Sequence, residues 1–314
     1  MKHIIAVAAV LFALAAFTPG KALPRATEIT LIEPVLALGF DKGEITFMFE
    51  DNTQSTHGAS PAAALEAMKK QHPREVAVSA ADFFLFGRNA DISGLAEFIL
   101  KAQPLRLTAS VFIVQGSANS ATAVLAEREA LDILKNFGEN SGTGAYSSLM
   151  PFYEFMSELS VPGRSFAAPA LNSEGVPDGY AVIKNGEVAG FLSPPASRGY
   201  NIIKNKSVYS VVGGARLKTA KSKISFDFDS VSDELVCINI NVEISVSETG
   251  EAEGIIYEEI AQVIALSKRL ESDFAGFGDL LRLKHPYRFE RMKADWDDIY
   301  AQTPVKINVT GRAD

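Results

Sequence analysis

The side chains that most often take part in chemistry are few and scattered in this sequence. Its four histidines are His3, His57, His72 and His285, and its one cysteine is Cys237. None of these histidines stands at metal-ligand spacing from another histidine, a cysteine or a carboxylate. We therefore expect no metal site, and we interpret the histidines as surface residues or as residues at helix ends.

Nucleophile and phosphate-loop patterns are equally incomplete. Cys237 falls on a predicted strand, with no neighbouring base in the sequence that would generate a thiolate. Gly142–Gly144 and Gly276–Gly278 have the glycine content of phosphate loops, but neither completes the glycine fingerprint that follows a strand. No GxSxG or Walker motif occurs. We predict no catalytic residue and no bound cofactor.

We interpret the acidic pairs and the single tryptophan as structural rather than catalytic or ligand-binding residues. The pairs Asp297-Asp298 and Glu258-Glu259 are predicted on the solvent faces of helices, where charge usually serves solvation. Trp296 is predicted to be a core residue rather than a platform for a ligand.

The charge balance argues against one class of partner, nucleic acid. The formal charge is −8, and it becomes −10 once a leader through Ala22, with Lys2, Lys21 and no acidic residue, is removed. Binding to nucleic acid needs clustered lysine and arginine to displace counterions, so this function is disfavoured. The same overall charge disfavours electrostatic adhesion to anionic lipid.

The first 22 residues are predicted to be a secretory signal peptide. Lys2 precedes the apolar run Ile4–Phe17, and small residues at Ala13 and Ala15, or at Gly20 and Ala22, suit cleavage. The run is short for a membrane span, which needs roughly 20 apolar residues. An uncleaved leader would still tether the chain.

An N-terminal α/β domain is predicted over residues 23–175. Val35–Phe40 and the alternating residues 45–49 indicate a hairpin, and Ser60 caps a helix with Pro61 at its first position. The following strand, helix and strand favour parallel pairing through a right-handed crossover. The predicted strands of this domain include residues 76–86 and 107–114. Its later helices are predicted to start near Asp91, Ser120 and Ser148, and the helix from Ser120 is predicted to extend to Phe137.

A hairpin or small middle domain is predicted over residues 176–203. The proline-containing segment Val161–Gly179 is interpreted as a connecting loop. Asn185-Gly186 between two apolar runs is a strong hairpin signal, because it fits a turn that needs positive φ.

The C-terminal domain, residues 204–314, is predicted to be α+β. Alternation in residues 236–246 indicates a strand with one apolar and one polar face. A long amphipathic helix begins near Glu251, Gly276–Gly278 ends it, and a second helix starts at Pro286 and carries Trp296. A last strand follows Pro304. The predicted fold class is a multi-domain α+β (mixed α/β) protein whose C-terminal antiparallel sheet is covered on one face by helices.

Several short segments of this chain form an ordered set of motifs. In the C-terminal domain they are Gly276-Phe277-Gly278-Asp279, Lys284-His285-Pro286, Trp296-Asp297 and the strand running into Thr310-Gly311-Arg312. Upstream they are Gly39-Phe40-Asp41-Lys42, Pro104-Leu105-Arg106-Leu107, Gly190-Phe191 and Arg198-Gly199. These segments resemble the Ger(x)C family. The motif positions that we select are Gly276, Phe277, Gly278, Pro286, Trp296 and Gly311.

The resemblance implies a function that residue physics alone does not. In bacterial spores this family is the C subunit of nutrient germinant receptors, whose A and B subunits are membrane-embedded. It implies three compact domains and a noncatalytic, membrane-associated protein on the outer face of the spore inner membrane. Family members are usually lipoproteins with a cysteine directly after the signal, which this chain lacks. Either the uncleaved leader or a membrane partner would then hold the protein at the membrane, or the protein would be free.

A different class of function stays open at this stage. An exported small-ligand-binding protein or hydrolase would have a deep interdomain pocket with convergent polar or titratable groups. A receptor subunit would instead show broad, shallow surfaces with apolar patches.

Overall fold

The structure is a computed structural model that describes residues 32–313, apart from 51, 59, 93, 95–97, 99–105, 140–146, 207–209 and 249. The predicted leader with His3, most of the helix predicted from Asp91, and Gly142–Gly144 lie outside the described residues. Among the described residues, no helix combines the length and the apolar character needed to cross a bilayer.

The described chain contains strands and helices in both halves, often in runs of one kind. The first half contains β1 (Ile32–Pro34), β2 (Ala37–Asp41), β3 (Glu44–Met48), β4 (Thr53–His57), α1 (Pro61–Gln71), β5 (Glu75–Ala77), β6 (Phe83–Gly87), β7 (Ser110–Val114), α2 (Ala118–Leu125), α3 (Arg128–Glu139), α4 (Phe152–Leu159), β8 (Ser165–Leu171), β9 (Pro177–Lys184) and β10 (Glu187–Leu192). The second half contains α5 (Pro194–Ile203), β11 (Ser210–Val212), β12 (Ala215–Phe228), β13 (Leu235–Val246), α6 (Ala252–Arg269), α7 (Phe277–Lys284), α8 (Pro286–Met292), α9 (Trp296–Gln302) and β14 (Val305–Ala313).

A sheet in the order β10-β9-β8-β7-β6-β2-β3-β4 dominates the N-terminal half. The β2–β3 hairpin and the parallel pairing of β6 with β7 are present as predicted. Ser60 caps α1, its hydroxyl accepting from the Ala63 amide. The helix predicted over residues 120–137 is divided into α2 and α3. Because helices cover both faces of this sheet, its central strands are buried.

The prediction of a loop over residues 161–179 is wrong, because β8 lies within it. β8 pairs in parallel with β7 and antiparallel with β9. Six of its seven residues are buried. Its mostly small side chains do not alternate between apolar and polar, as those of a half-buried strand do. Such alternation is not expected in a strand that is buried on both faces.

The hairpin of β9 and β10 lies between the two halves and contributes residues to both hydrophobic cores. Asn185 and Gly186 have φ values of 54° and 77°, as the Asn-Gly signal predicts. Both strands extend the large sheet rather than forming a sheet of their own. Tyr180 and Val182 lie in the C-terminal core, whereas Ala181 and Ile183 lie in the N-terminal core. The residues predicted as a middle unit therefore connect both cores.

The C-terminal sheet has the order β11-β12-β13-β14. Its first three strands are antiparallel as predicted, but β14 pairs in parallel with β13, so the sheet is mixed. The reason is that the chain returns to the sheet through α6–α9, and such a crossover permits parallel pairing. Apolar residues of β12 and β13 pack against α5 and α6 in one core. The α+β fold class with one helix-covered face is confirmed.

One upstream family segment has a clear packing role. The Asp41 carboxylate accepts from the Ala118 and Asn119 amides at 3.0 and 2.9 Å, and so caps α2. A Cβ on Gly39 would lie 2.5 Å from the Thr122 hydroxyl. The segment thus lets α2 lie directly on β2.

Candidate functional site

Four of the six selected motif residues, Gly276, Phe277, Gly278 and Trp296, meet around the partly buried carboxylate of Asp273. Its Oδ1 accepts from the Phe277 amide at 2.9 Å, and its Oδ2 accepts from the Gly278 amide at 2.6 Å and from Trp296 Nε1 at 2.9 Å. Asp273, Gly276, Phe277, Gly278 and Trp296 are called the motif cluster below. Its carboxylate caps α7 and holds the tryptophan ring at the start of α9.

Burial sets the protonation behaviour of this carboxylate. Burial raises the pKa of Asp273 to about 6, although the backbone and indole donors around it act in the opposite direction. The group is the only member of the cluster that titrates. A proton on it would compete with the three donors that it accepts.

Two glycines of the motif cluster meet specific steric needs. Gly276 has a φ of 79°, in the left-handed region that other residues rarely adopt. A Cβ on Gly278 would lie 2.6 Å from Trp296 Nε1 and 2.8 Å from Cε2. The tryptophan ring therefore occupies the space that any larger residue at 278 would need.

Trp296 is a core residue, as predicted, with 8% of its surface exposed. Its ring stacks on Tyr300 at a centroid distance of 6.0 Å and meets Phe289 edge-on at 5.9 Å. Tyr300 in turn stacks on Phe277 at 5.6 Å. Aromatic packing and the hydrogen bond to Asp273 fix α7 and α9 together.

The other two selected motif residues lie elsewhere. Pro286 is the first residue of α8, the position that suits its fixed φ. The Gly311 amide donates to Glu253 Oε1 at 2.6 Å, which ties β14 to α6. The motif positions therefore form one cluster and two separate packing points.

Contacts of charged side chains join the helices beside the motif cluster to the N-terminal half. Arg164, just before β8, contacts Asp279 of α7 at 2.6 Å and Glu158 of α4 at 2.5 Å. Burial raises the pKa of Glu158, which Arg164 partly offsets. Lys184 of β9 donates to the Glu271 and Leu270 carbonyls at 2.7 and 3.0 Å, near the end of α6.

A cleft of about 340 Å³ lies where these contacts meet. Its walls include Gly163 and Ser165 on one side and Gly278, Trp296 and Asp297 on the other. Burial raises the pKa of Asp297, which is only partly exposed and does not fit the solvent-face prediction. Asp298 is exposed as predicted.

A second polar cluster connects the two halves beside Tyr180. Lys206 Nζ donates to Ser148 Oγ at 3.0 Å, and Ser148 Oγ lies 2.9 Å from the Tyr180 hydroxyl. The Tyr180 hydroxyl donates to Asn201 Oδ1 at 2.7 Å. Burial lowers the pKa of Lys206 and raises the pKa of Tyr180 to about 12. A serine and a lysine at this spacing could support nucleophilic chemistry.

The prediction that Glu259 faces solvent is wrong. Glu259 is 3% exposed and Arg198 is 6% exposed, and the two form a bidentate ion pair between α6 and α5. A Cβ on Gly199 would lie 2.6 Å from the Glu259 carbonyl oxygen. The close crossing of these helices buries the carboxylate, and the arginine stabilises it there. Glu258 is exposed.

The histidines and the cysteine considered in the sequence lie in packing or surface positions. His57 is exposed, and His72 is buried at the end of α1 and stacks on Phe49 at 4.8 Å. His285 precedes α8 and meets the Phe228 ring at 5.1 Å. Cys237 is 3% exposed. Within the described part of the chain, no group of three His, Cys, Asp or Glu residues could hold a metal.

Sequence reasoning missed Asp273 and the pairing of Arg198 with Glu259. Asp273 stands four residues before Phe277, and an Asp just ahead of a helix is a capping signal that could have identified it. Arg198 and Glu259 lie far apart in the sequence, and neither residue has a local feature that would reveal the other.

Two protein-family models match this chain. Residues 25–173 match the family model described as spore germination protein N-terminal domain. Residues 178–312 match the model described as spore germination B3/GerAC like, C-terminal, which includes the whole motif cluster. No curated protein matches the chain in a sequence search.

The fold is similar to that of one solved crystal structure. The crystal structure of the GerBC protein superposes with a TM-score of 0.53 at 15% identity, covering 88% of this chain and 96% of that one. At this identity the likeness concerns the fold alone. Because both family models together span nearly all of the chain after the predicted leader, it belongs to the Ger(x)C (GerAC-like) family, the C subunits of spore germinant receptors.

Proposed function

We propose that this protein is a noncatalytic, exported subunit that couples or assembles the membrane-embedded A and B subunits of a germinant receptor during spore germination. The match of both family models, over residues 25–173 and 178–312, is the observation that carries this proposal. The partners come from the family resemblance. The protein would act by contact on the outer face of the spore inner membrane.

The contacts between the two halves support a role in transmission. Arg164 joins α4 to α7, Lys184 joins β9 to the end of α6, and Lys206 joins the Ser148 segment to the C-terminal domain. The β9–β10 hairpin belongs to both cores. A load applied to one half would therefore reach the other through packed elements rather than through a loose linker.

Copurification tests the proposal most simply. The full chain carrying a C-terminal affinity tag would be expressed from its own locus, and membranes of dormant spores would be solubilised in mild detergent. We expect the A and B subunits to copurify in fixed proportion. A tagged membrane protein of similar abundance serves as the control. Recovery of neither subunit above that control would contradict the proposal.

A hydrolase with an interdomain site is the second candidate, and one observation favours it. Ser148 Oγ lies 3.0 Å from Lys206 Nζ, and burial lowers the pKa of that lysine. Against it, Lys206 donates to Ser148, and the Tyr180 hydroxyl is directed to Asn201. Labelling of the full chain by a serine-reactive fluorophosphonate, lost in Ser148→Ala, would favour the hydrolase.

A further inference from the structure

The face of the C-terminal sheet that the helices leave uncovered is strongly basic. Side chains alternate along its strands, and the positions opposite the core residues point to this outer face. Six cationic side chains of β12 and β14 stand there: Arg216, Lys218, Lys221, Lys223, Lys306 and Arg312. All six are exposed. The same outer positions of β12–β14 carry two carboxylates, Asp227 and Glu243. This surface is called the basic sheet face.

The strand register concentrates these charges. Lys221 stands opposite Glu243, and Lys223 stands opposite Asn241, which in turn pairs with Asn308 of β14. Neighbouring strands are about 4.8 Å apart, and alternate residues of one strand are about 7 Å apart. The cations of β12 and β14 therefore flank β13 within a single patch.

Overall charge conceals this patch. The whole chain has a formal charge of −8. This value averages over all surfaces, and on that average adhesion to anionic lipid is disfavoured. Salt screens exposed charges over about 8 Å at physiological ionic strength. A surface that touches the basic sheet face would therefore respond mainly to its cations and little to acidic residues on distant faces.

The composition of the face indicates the class of partner. Protein interfaces are enriched in aromatic residues, Met and Arg, and depleted in Lys. The outer positions of β12–β14 carry four lysines and no aromatic side chain, and their neutral members include Cys237 and small polar residues such as Asn241 and Asn308. Val236, near the start of β13, is the one exposed large apolar residue on the described parts of these three strands. Lysines attract anionic headgroups without needing a shaped apolar pocket. We propose that the basic sheet face lies against anionic phospholipid headgroups.

This inference rests on the proposed function only for the presence of a membrane beside the protein. It supplies a contact that needs no lipid-modified cysteine. It also gives an orientation, because the helix-covered side, with α6, would then face away from the bilayer.

Vesicle binding tests the proposal on the full chain. Cosedimentation would be measured with vesicles of equal parts phosphatidylglycerol and phosphatidylcholine, and with vesicles of phosphatidylcholine alone. The test variant is the triple change Lys221→Gln, Lys223→Gln and Lys306→Gln. A matched control removes three exposed cations elsewhere, Lys42→Gln, Lys69→Gln and Lys70→Gln. Any contribution of the leader is common to all three proteins.

We expect binding that requires phosphatidylglycerol and weakens with added salt. Each cation near an anionic surface contributes about fivefold to partitioning, so the test variant should bind about a hundredfold more weakly. The control variant should bind like the unmodified chain. Thermal melts of both variants would confirm folding.

Three outcomes would overturn the proposal. They are equal binding to both vesicle types, equal loss in the test and control variants, and unchanged vesicle binding by the test variant. If that variant binds vesicles normally but its spores germinate poorly, the face meets an acidic protein instead. Failure of the proposed function is separate, since it would appear as absent A and B subunits in the copurification.

Discussion

Replacing Trp296 with alanine tests how the motif cluster is built. The ring is 8% exposed and packs on Tyr300 and Phe289. Truncating a buried tryptophan to alanine costs about 3–5 kcal/mol. Trp296→Phe keeps most of the packing but removes the Nε1 donor to Asp273, and a hydrogen bond to a charged group is worth about 1.5–3 kcal/mol. The phenylalanine variant should therefore lie between the alanine variant and the unmodified protein.

A second substitution makes this test sharper. Gly278→Ala places a Cβ within 2.6 Å of the Trp296 ring, and such overpacking costs about 1–3 kcal/mol. With Trp296→Ala also present, that space is empty. Because alanine is favoured over glycine in a helix by about 0.5–1 kcal/mol, the same change should then become neutral or stabilising. The sign of the Gly278→Ala effect depends on the tryptophan.

Urea unfolding followed by far-ultraviolet circular dichroism is the suitable assay. The chain has one tryptophan, so the variants that lose it cannot be followed by its fluorescence. A cost for Trp296→Ala below about 1 kcal/mol would refute the packing argument. An unchanged penalty for Gly278→Ala in the double variant would refute the steric contact.

Three further predictions concern polar groups that are buried or partly buried. Glu259→Gln should destabilise the protein by about 3–5 kcal/mol in urea melts because it leaves Arg198 buried without its charge partner, and a loss under about 1 kcal/mol would contradict this. The pKa of Asp273 is raised from 3.8 to about 6, so the folded state binds this proton more tightly. Its contribution to stability should therefore increase as pH falls, by about 1 kcal/mol between pH 7 and pH 5 relative to Asp273→Asn, and the opposite slope would contradict the burial argument. Ser148→Ala should lower the free energy of unfolding by about 1 kcal/mol, because it removes the acceptor of the Lys206 hydrogen bond. We expect only background fluorophosphonate labelling in both proteins. Labelling of the unmodified chain that is lost in this variant would show that Ser148 is a nucleophile.

Local signals predicted the elements that depend on neighbouring residues. Ser60 with Pro61 gave the start of α1, and Asn185 with Gly186 gave the β9–β10 turn. The alternation of β13 gave the two faces of the C-terminal sheet. In each case a short stretch contains both the cause and the structure, because capping and turn geometry involve only a few residues.

Features that depend on distant partners could not be predicted. β8 was missed because its small, proline-containing sequence carries no period, and its strand state comes from pairing with β7 and β9. Glu259 was placed in solvent because a carboxylate on a helix usually faces water, and only Arg198 makes its burial affordable. The parallel addition of β14 also depends on the path of four intervening helices.

The motif cluster was predicted only in part. The resemblance selected Gly276–Gly278 and Trp296, and amphipathic spacing placed the tryptophan in the core. The structure adds Asp273, which explains why those residue types stand together: it caps α7 and binds the indole. The basic sheet face was missed for another reason. Total charge averages over all surfaces, and the strand register had to be known before the six cations could be assigned to one of them.

Germination of spores that lack this gene tests the central claim most directly. The gene would be deleted in its spore-forming host, any redundant copy would be deleted too, and nutrient-triggered loss of refractility would be scored. We predict that the response to at least one nutrient is lost and that the unmodified gene restores it. A normal response to every nutrient would contradict the assignment of this chain to a working germinant receptor.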